Sequence, residues 1–351
     1  MSVRTVRGRA RAVLSVVVLT AALTGLAACG NGGSADPNAP VTVRLGHFPN
    51  LTHASAIVGI EKGIYRNKLD AKVSLETKQY NAGPAAIEAL FAGDLDVAFI
   101  GPNPAINAWS QSKGKAVKIV AGAASGGVFF VTKPEITKPE DLKGKTIATP
   151  QLGNTQDVAL RHWLREKGYA TTTEGGGDVK IKPQDNAVTV DDFRAGRIDG
   201  AWVPEPTAAR LVAAGGRVFL DERDLWPDGR FVITHLLVSA TFLTEHRDVV
   251  RQIIEGLVAT NDYINANPAD AQQAVSDGIA KLTGKPLDAA LTAAAWKSIT
   301  FLNDPIASSL IEGAKHAQEV DLLKPVDLNG IYDLSLLNEV LAAAGEPEVA
   351  L

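Results

Sequence analysis

The sequence predicts an α/β protein with two similar lobes, and three observations carry that expectation. From Val41 onward, short β-prone runs alternate with helical ones, the order expected of βαβ units around a parallel sheet. A motif Ala-Gly-x-aliphatic-Asp-x-Ala-aromatic occurs at 92–99 and again at 195–202, offset by 103 positions. Each copy follows a helical run and enters a proline-containing turn. Finally, 351 residues with 46% hydrophobic content can bury enough apolar surface for about two domains.

The first residues are of another kind. Arg4, Arg7, Arg9 and Arg11 precede an apolar run over 12–26 that is short for a membrane span, and Leu26-Ala27-Ala28-Cys29 follows as a small-residue cleavage site. Residues 1–28 therefore read as an export signal that is removed. Cys29 is the one cysteine of the chain, so no internal disulfide can form. Residues 29–40, rich in glycine, asparagine and proline, read as a flexible linker. Loss of the signal takes four arginines and no acids from 35 basic and 39 acidic residues, leaving 31 against 39, or −8. No basic patch for nucleic acid is evident.

Strands are expected at 41–45, 71–79, 96–100 and 117–121, with helices at 54–65, 85–92 and 104–111 between them. The second lobe spans 131–235. There Thr137-Lys138-Pro139-Glu140 forms a capping box for a short helix, a strand at 146–148 leads to a helix at 158–167, and 171–177 is a glycine-rich exposed loop. Further strands fall at 179–181 and 217–220, and the apolar run 231–238 carries the chain back. Everything after it reads as helical: 244–266, 268–283, 287–296, 306–320 and 334–344. These helices belong on the first lobe, which thus comprises 41–130 and 236–351. Trp296 and Phe301 read as core residues.

In parallel α/β sheets ligands bind beyond the carboxyl ends of the strands, which singles out the loops 47–53, 101–103 and 125–127. The stretch 149–157 is the most informative. After its strand, Gly153 permits a tight turn and Asn154 or Thr155 can cap the following helix. The first-turn amides and the helix dipole then suit a small anion, with hydroxyl and amide side chains as further donors; the plain alternative is a capped helix and nothing more.

Other chemistry lacks support. The histidines His47, His53, His162, His235, His246 and His316 form no i,i+4 pair, so no metal site is expected. There is no nucleophile elbow, P-loop or dinucleotide fingerprint, and no cofactor is expected. Asp191 and Asp192 read as a helix start.

Taken together, several stretches resemble one family. Leu26-Ala27-Ala28-Cys29, Gly46-His47-Phe48-Pro49-Asn50-Leu51-Thr52-His53-Ala54, Phe99-Ile100-Gly101-Pro102-Asn103-Pro104-Ala105, Asp141-Leu142-Lys143-Gly144-Lys145-Thr146-Ile147-Ala148, Gly153-Asn154-Thr155-Gln156-Asp157 and Val203-Pro204-Glu205-Pro206 are similar to the solute-binding proteins of nitrate, sulfonate and taurine ABC importers. The resemblance covers nearly the whole chain after the linker. It implies a two-lobed type II periplasmic-binding-protein fold with a hinge and a ligand cleft between lobes. It also implies a non-enzymatic monomer anchored to the extracytoplasmic face of the cell membrane by a lipid on Cys29, with an ABC permease and its ATPase as partners.

The expected ligand is a small organic anion, with an aliphatic sulfonate favoured over taurine, nitrate or a pyrimidine-type thiamine precursor. An exported enzyme on the same fold and a sensor lipoprotein are the rival readings. Ligand residues are expected at Asn50, Thr52, His53, Asn103, Gly126, Asn154, Thr155, Gln156 and Glu205. Of these, Asn154 and Thr155 hold the anion with help from Asn103 and His53, and Glu205 receives a donor at the ligand's far end.

Overall fold

Among the described residues, eleven strands are arranged in two sheets. The structure, a computed structural model, describes residues 39–351, so the expected signal segment, Cys29 and nearly all of the linker lie outside it. The strands are β1 (Val41–His47), β2 (Val73–Gln79), β3 (Val97–Ile100), β4 (Val117–Gly126), β5 (Val128–Thr132), β6 (Thr146–Thr149), β7 (Lys180–Pro183), β8 (Gly200–Pro204), β9 (Arg217–Asp221), β10 (Val232–Ser239) and β11 (Ile299–Phe301). The first sheet has the order β2-β1-β3-β10-β4-β11 and the second β7-β6-β8-β5-β9. Read this way the sheets correspond strand for strand, with β11 an addition to the first.

The repeated sequence motif sits at the same place in both. Asp96 accepts the backbone N–H of Arg44 through its side chain at 2.9 Å, and Asp199 does the same for Thr146 at 2.9 Å. Their carbonyls accept the N–H groups of Ser239 and Lys133, both at 2.8 Å. Each aspartate therefore ties the start of a central strand to both neighbours, and satisfies backbone groups that burial would otherwise leave unpaired. Gly93 (φ 78°) and Gly196 (φ 69°) end the preceding helices in the left-handed region, which explains the glycine in each copy.

Three expectations need correction. The sheets are mixed, not parallel: β10 runs antiparallel to β3 and β4, and β5 antiparallel to β8 and β9. These two strands come directly after a crossing between sheets and not after a helical crossover, so they need not share the direction of the βαβ strands. By sheet membership the chain crosses at Gly127 and returns just before Val232. The C-terminal part is not wholly helical either, since β11 pairs with β4. Asp191 and Asp192 lie in the last turns of the helix Asn186–Arg194, where Asp192 is bound by Lys182 and Arg197.

Trp296 and Phe301 are buried with their rings 4.9 Å apart. In the second sheet the fully buried Trp202 stacks on Phe130 at 5.4 Å, and Trp163 packs on Phe130 edge-on at 5.8 Å, which fixes the helix Thr155–Glu166 against that sheet. Aromatic pairs in these geometries add to area burial.

Candidate functional site

The carboxyl ends of β1, β3, β6 and β8 converge, and a cavity of about 30 Å³ lies between them. Six of the expected ligand residues line it: Asn50, Thr52, His53, Asn154, Thr155 and Gln156. Phe48, Asn81, Gly101, Pro150, Pro204 and Ile233 complete most of the remaining wall. Gly101 and Pro204 occupy matching places after the repeated motif, 103 positions apart.

The helix Thr155–Glu166 sets the chemistry of one side. Gly153 (φ 73°) turns the chain, and Asn154 caps the helix by accepting the N–H of Asp157 at 2.9 Å. The Asn154 amide donates to Gln156 at 3.0 Å, so the Asn154 oxygen serves the helix. Thr155 is 8% exposed, and its buried hydroxyl has no hydrogen-bond partner. A hydroxyl in that condition carries a desolvation penalty unless something else meets it.

Asp157, fully buried two residues on, holds the turn by accepting the Thr149 hydroxyl at 2.8 Å and the Gly153 N–H at 3.0 Å. Its charge is answered by Arg161, whose Nε donates at 2.9 Å. Arg161 is 1% exposed and also donates to the carbonyl of Thr172. Paired within the protein, this carboxylate does not leave an unanswered negative charge behind the Thr155 turn.

The facing side is built from β1 and its turn. His53 is buried and lies against Phe48 at 4.3 Å between ring centroids, and its Nδ1 accepts the Phe48 N–H at 3.4 Å. With Nδ1 accepting, a neutral ring carries its proton on Nε2. Burial, and then the neighbouring His47, push His53 well below its ordinary range; burial takes His47 down to about 4. Both rings are neutral near pH 7. No lysine or arginine lines the cavity. The donors on offer are a hydroxyl, amides, an imidazole N–H and helix N–H groups, which suits an acceptor-rich group of dispersed charge.

Three expected residues lie elsewhere. The Asn103 amide donates to the Gly313 carbonyl at 3.1 Å, tying its helix to Ala307–Glu319. Gly126 belongs to a separate surface cleft with Asp221 and Arg223, and a Cβ there would stand 2.4 Å from the Ser298 carbonyl. The Glu205 carboxylate accepts the Ala209 N–H at 3.0 Å and does not line the cavity. Its backbone joins Gly127 at 2.9 Å and Leu51 at 3.0 Å, at the crossing between the sheets. Burial first, and then Asp221, push its carboxyl up to about 7 against the opposing Ala209 bond. All three positions lie at or just after strand ends as expected; a distant carbonyl holds the Asn103 amide, an N–H four residues on holds the Glu205 carboxylate, and the Ser298 carbonyl fills the space beside Gly126.

Further contacts bridge the sheets. Asn81, after β2, donates to Asp185, after β7, at 3.0 Å. His162 stacks on His316 at 3.6 Å with rings 11° from parallel. Among the described residues no group of three or more His, Cys, Asp or Glu is placed to hold a metal ion, and no helix is long and apolar enough to cross a membrane.

A model of the NMT1-like family matches residues 36–279. The taurine-binding periplasmic protein of Escherichia coli (strain K12) is 26% identical over 202 residues, which cover 57% of this chain and 60% of that protein. Among solved structures, the alkanesulfonate-binding protein SsuA of Xanthomonas axonopodis pv. citri bound to MOPS superposes with a TM-score of 0.69 at 18% identity, covering 84% of this chain and 99% of the other. The periplasmic nitrate-binding protein NrtA of Synechocystis PCC 6803 gives 0.71 at 16% identity, covering 88% and 91%. These structures share the two-lobed arrangement found here.

Proposed function

Because the chain belongs to the NMT1-like family, we propose that it is the solute-binding component of an ABC importer, closing two lobes on a small organic anion. The observation that carries this reading is the buried, unpartnered hydroxyl of Thr155 at a helix N-terminus, lining a cavity between the two sheets. Oxyanions accept hydrogen bonds from such groups without needing a formal cation. The Thr155 hydroxyl has no hydrogen-bonded base beside it, which favours binding over catalysis.

Among anions we favour an aliphatic sulfonate, with taurine and nitrate as alternatives. Asn50, Thr52, His53, Asn154, Thr155 and Gln156 form the ligand shell. The lobes are the parts of the chain carrying each sheet, and Gly127 and the segment before Val232 are the hinge. Binding brings the lobes together around it. A lipid on Cys29 anchors the protein outside the cell, where it acts as a monomer delivering ligand to a permease and its ATPase.

A thermal-shift screen of alkyl sulfonates, taurine, nitrate and pyrimidines tests the reading, since a ligand bound only by the folded form raises its melting temperature. Stabilisation by a sulfonate that is then recovered unmodified supports it. If only pyrimidines stabilise the protein, or the sulfonate is consumed, the reading is wrong.

A further inference from the structure

The cavity beneath Thr155 is only part of the space between the sheets. At about 30 Å³ it exceeds the roughly 10–15 Å³ that accommodates one water, but it leaves no room for the carbon chain of an organic anion. Two of its wall residues, Asn81 and Pro150, are also walls of a recess of about 510 Å³ that opens outward from the ends of β2, β6 and β7. The polar side chains of that recess are Gln79, Tyr80, Asn81, Gln151, Gln184 and Asp185. One of them, Asp185, is an acid, and no lysine or arginine joins them.

Building on the anion reading above, we propose that this recess is a second subsite for the ligand's far end, selecting a protonated amine through Asp185. Three observations lead there. A ligand whose anionic head meets Thr155 has a roomy continuation past the shared wall of Asn81 and Pro150. The Asp185 carboxylate accepts a hydrogen bond from Asn81 at 3.0 Å, which sets it in the recess beside the wall that the two spaces share. An ammonium group is the stronger donor, because charge-assisted bonds exceed amide ones. Glu205, the carboxylate that the sequence suggested for this role, is instead occupied with the Ala209 N–H away from the cavity. The two charges of a zwitterionic ligand then lie at opposite ends of the site, the negative end among neutral donors and the positive end beside the one acid.

The test is calorimetry of propane-1-sulfonate and 3-aminopropane-1-sulfonate against wild type, Asp185→Asn and Asp185→Lys, with melting curves to establish that each variant is folded. Wild type should bind the amino compound about tenfold more tightly, the preference should vanish in Asp185→Asn, and it should reverse in Asp185→Lys. Asp185 is exposed and makes no capping bond to its helix, so the variants should fold. Equal affinity of wild type for the two ligands, or a preference that survives Asp185→Lys, overturns the subsite while leaving the anion site standing. If neither sulfonate binds wild type, the anion reading fails and the subsite falls with it.

Discussion

The hydroxyl of Thr155 stands 2.5 Å from the point that a Cβ on Gly101 would occupy, so the two lobes meet at a glycine and leave no room for even a methyl group. Gly101 has φ −71° and ψ 160°, a conformation open to any residue, so the constraint comes from space alone. Gly101→Ala should therefore leave each lobe folded yet obstruct their approach. Overpacking of this kind costs about 1–3 kcal/mol, so ligand should bind about tenfold more weakly with little change in melting temperature of the ligand-free protein. Undiminished affinity in the alanine variant would show that closure does not bring these atoms together.

The turn that presents Thr155 depends on a pair of buried charges. Asp157→Ala removes the acceptor of three hydrogen bonds and leaves Arg161 without its carboxylate, and we expect a loss of about 3–5 kcal/mol in stability. Replacing both residues by leucine should recover part of it, because the cost lies chiefly in the uncompensated charge. Denaturant titrations of the single and double variants decide this; a loss below about 1 kcal/mol in Asp157→Ala would mean water reaches Arg161.

Much of this arrangement was legible in the sequence, and the reason is local. The alternation of elements follows from side-chain periodicity, and the repeat was visible because Asp96 and Asp199 do the same work within a few residues of a helix end. Thr155 was visible as part of a glycine turn before a helix. The unread parts depend on partners far away in the chain: Asn103 reaches Gly313 across 210 positions, Asn81 reaches Asp185 across 104, and β11 is too short to announce itself. The Asp157–Arg161 pair has an ordinary i,i+4 spacing, and only burial sets it apart.

Between the lobes, His162 and His316 stack in a cluster with several carboxylates. His162 faces Glu319 at 3.1 Å and Glu166 at 3.7 Å, and His316 faces Glu312 at 3.6 Å; Trp226 covers His316 at 5.6 Å, and Lys315 is bound to Glu312. Burial, and then His162, hold His316 below its ordinary 6.5, with Glu312, Glu319 and Glu166 opposing. A base held down in the closed form stabilises that form above 6.5, and this contribution is lost as the pH falls below it. Ligand affinity should thus decline several-fold from about pH 7.5 to about pH 5.5, and His316→Phe, which keeps a ring in the stack without the proton, should flatten the decline. Parallel pH profiles for wild type and variant contradict this assignment.

The proposed anchor is testable independently of any ligand. Cys29→Ser should release the protein from membranes into the soluble fraction, and mass spectrometry of the wild-type N-terminus should find a lipid on Cys29. An unmodified cysteine in membrane-associated protein rules the anchor out.

The central claim is that a buried hydroxyl at the start of one helix holds the ligand's anionic head. Titration calorimetry of propane-1-sulfonate against wild type and Thr155→Val tests it most directly, since valine nearly keeps the volume and removes the donor. The account expects a reversible wild-type complex and a loss of about 1–3 kcal/mol in the variant. Equal affinity in the two proteins would place the anion elsewhere and contradict the account.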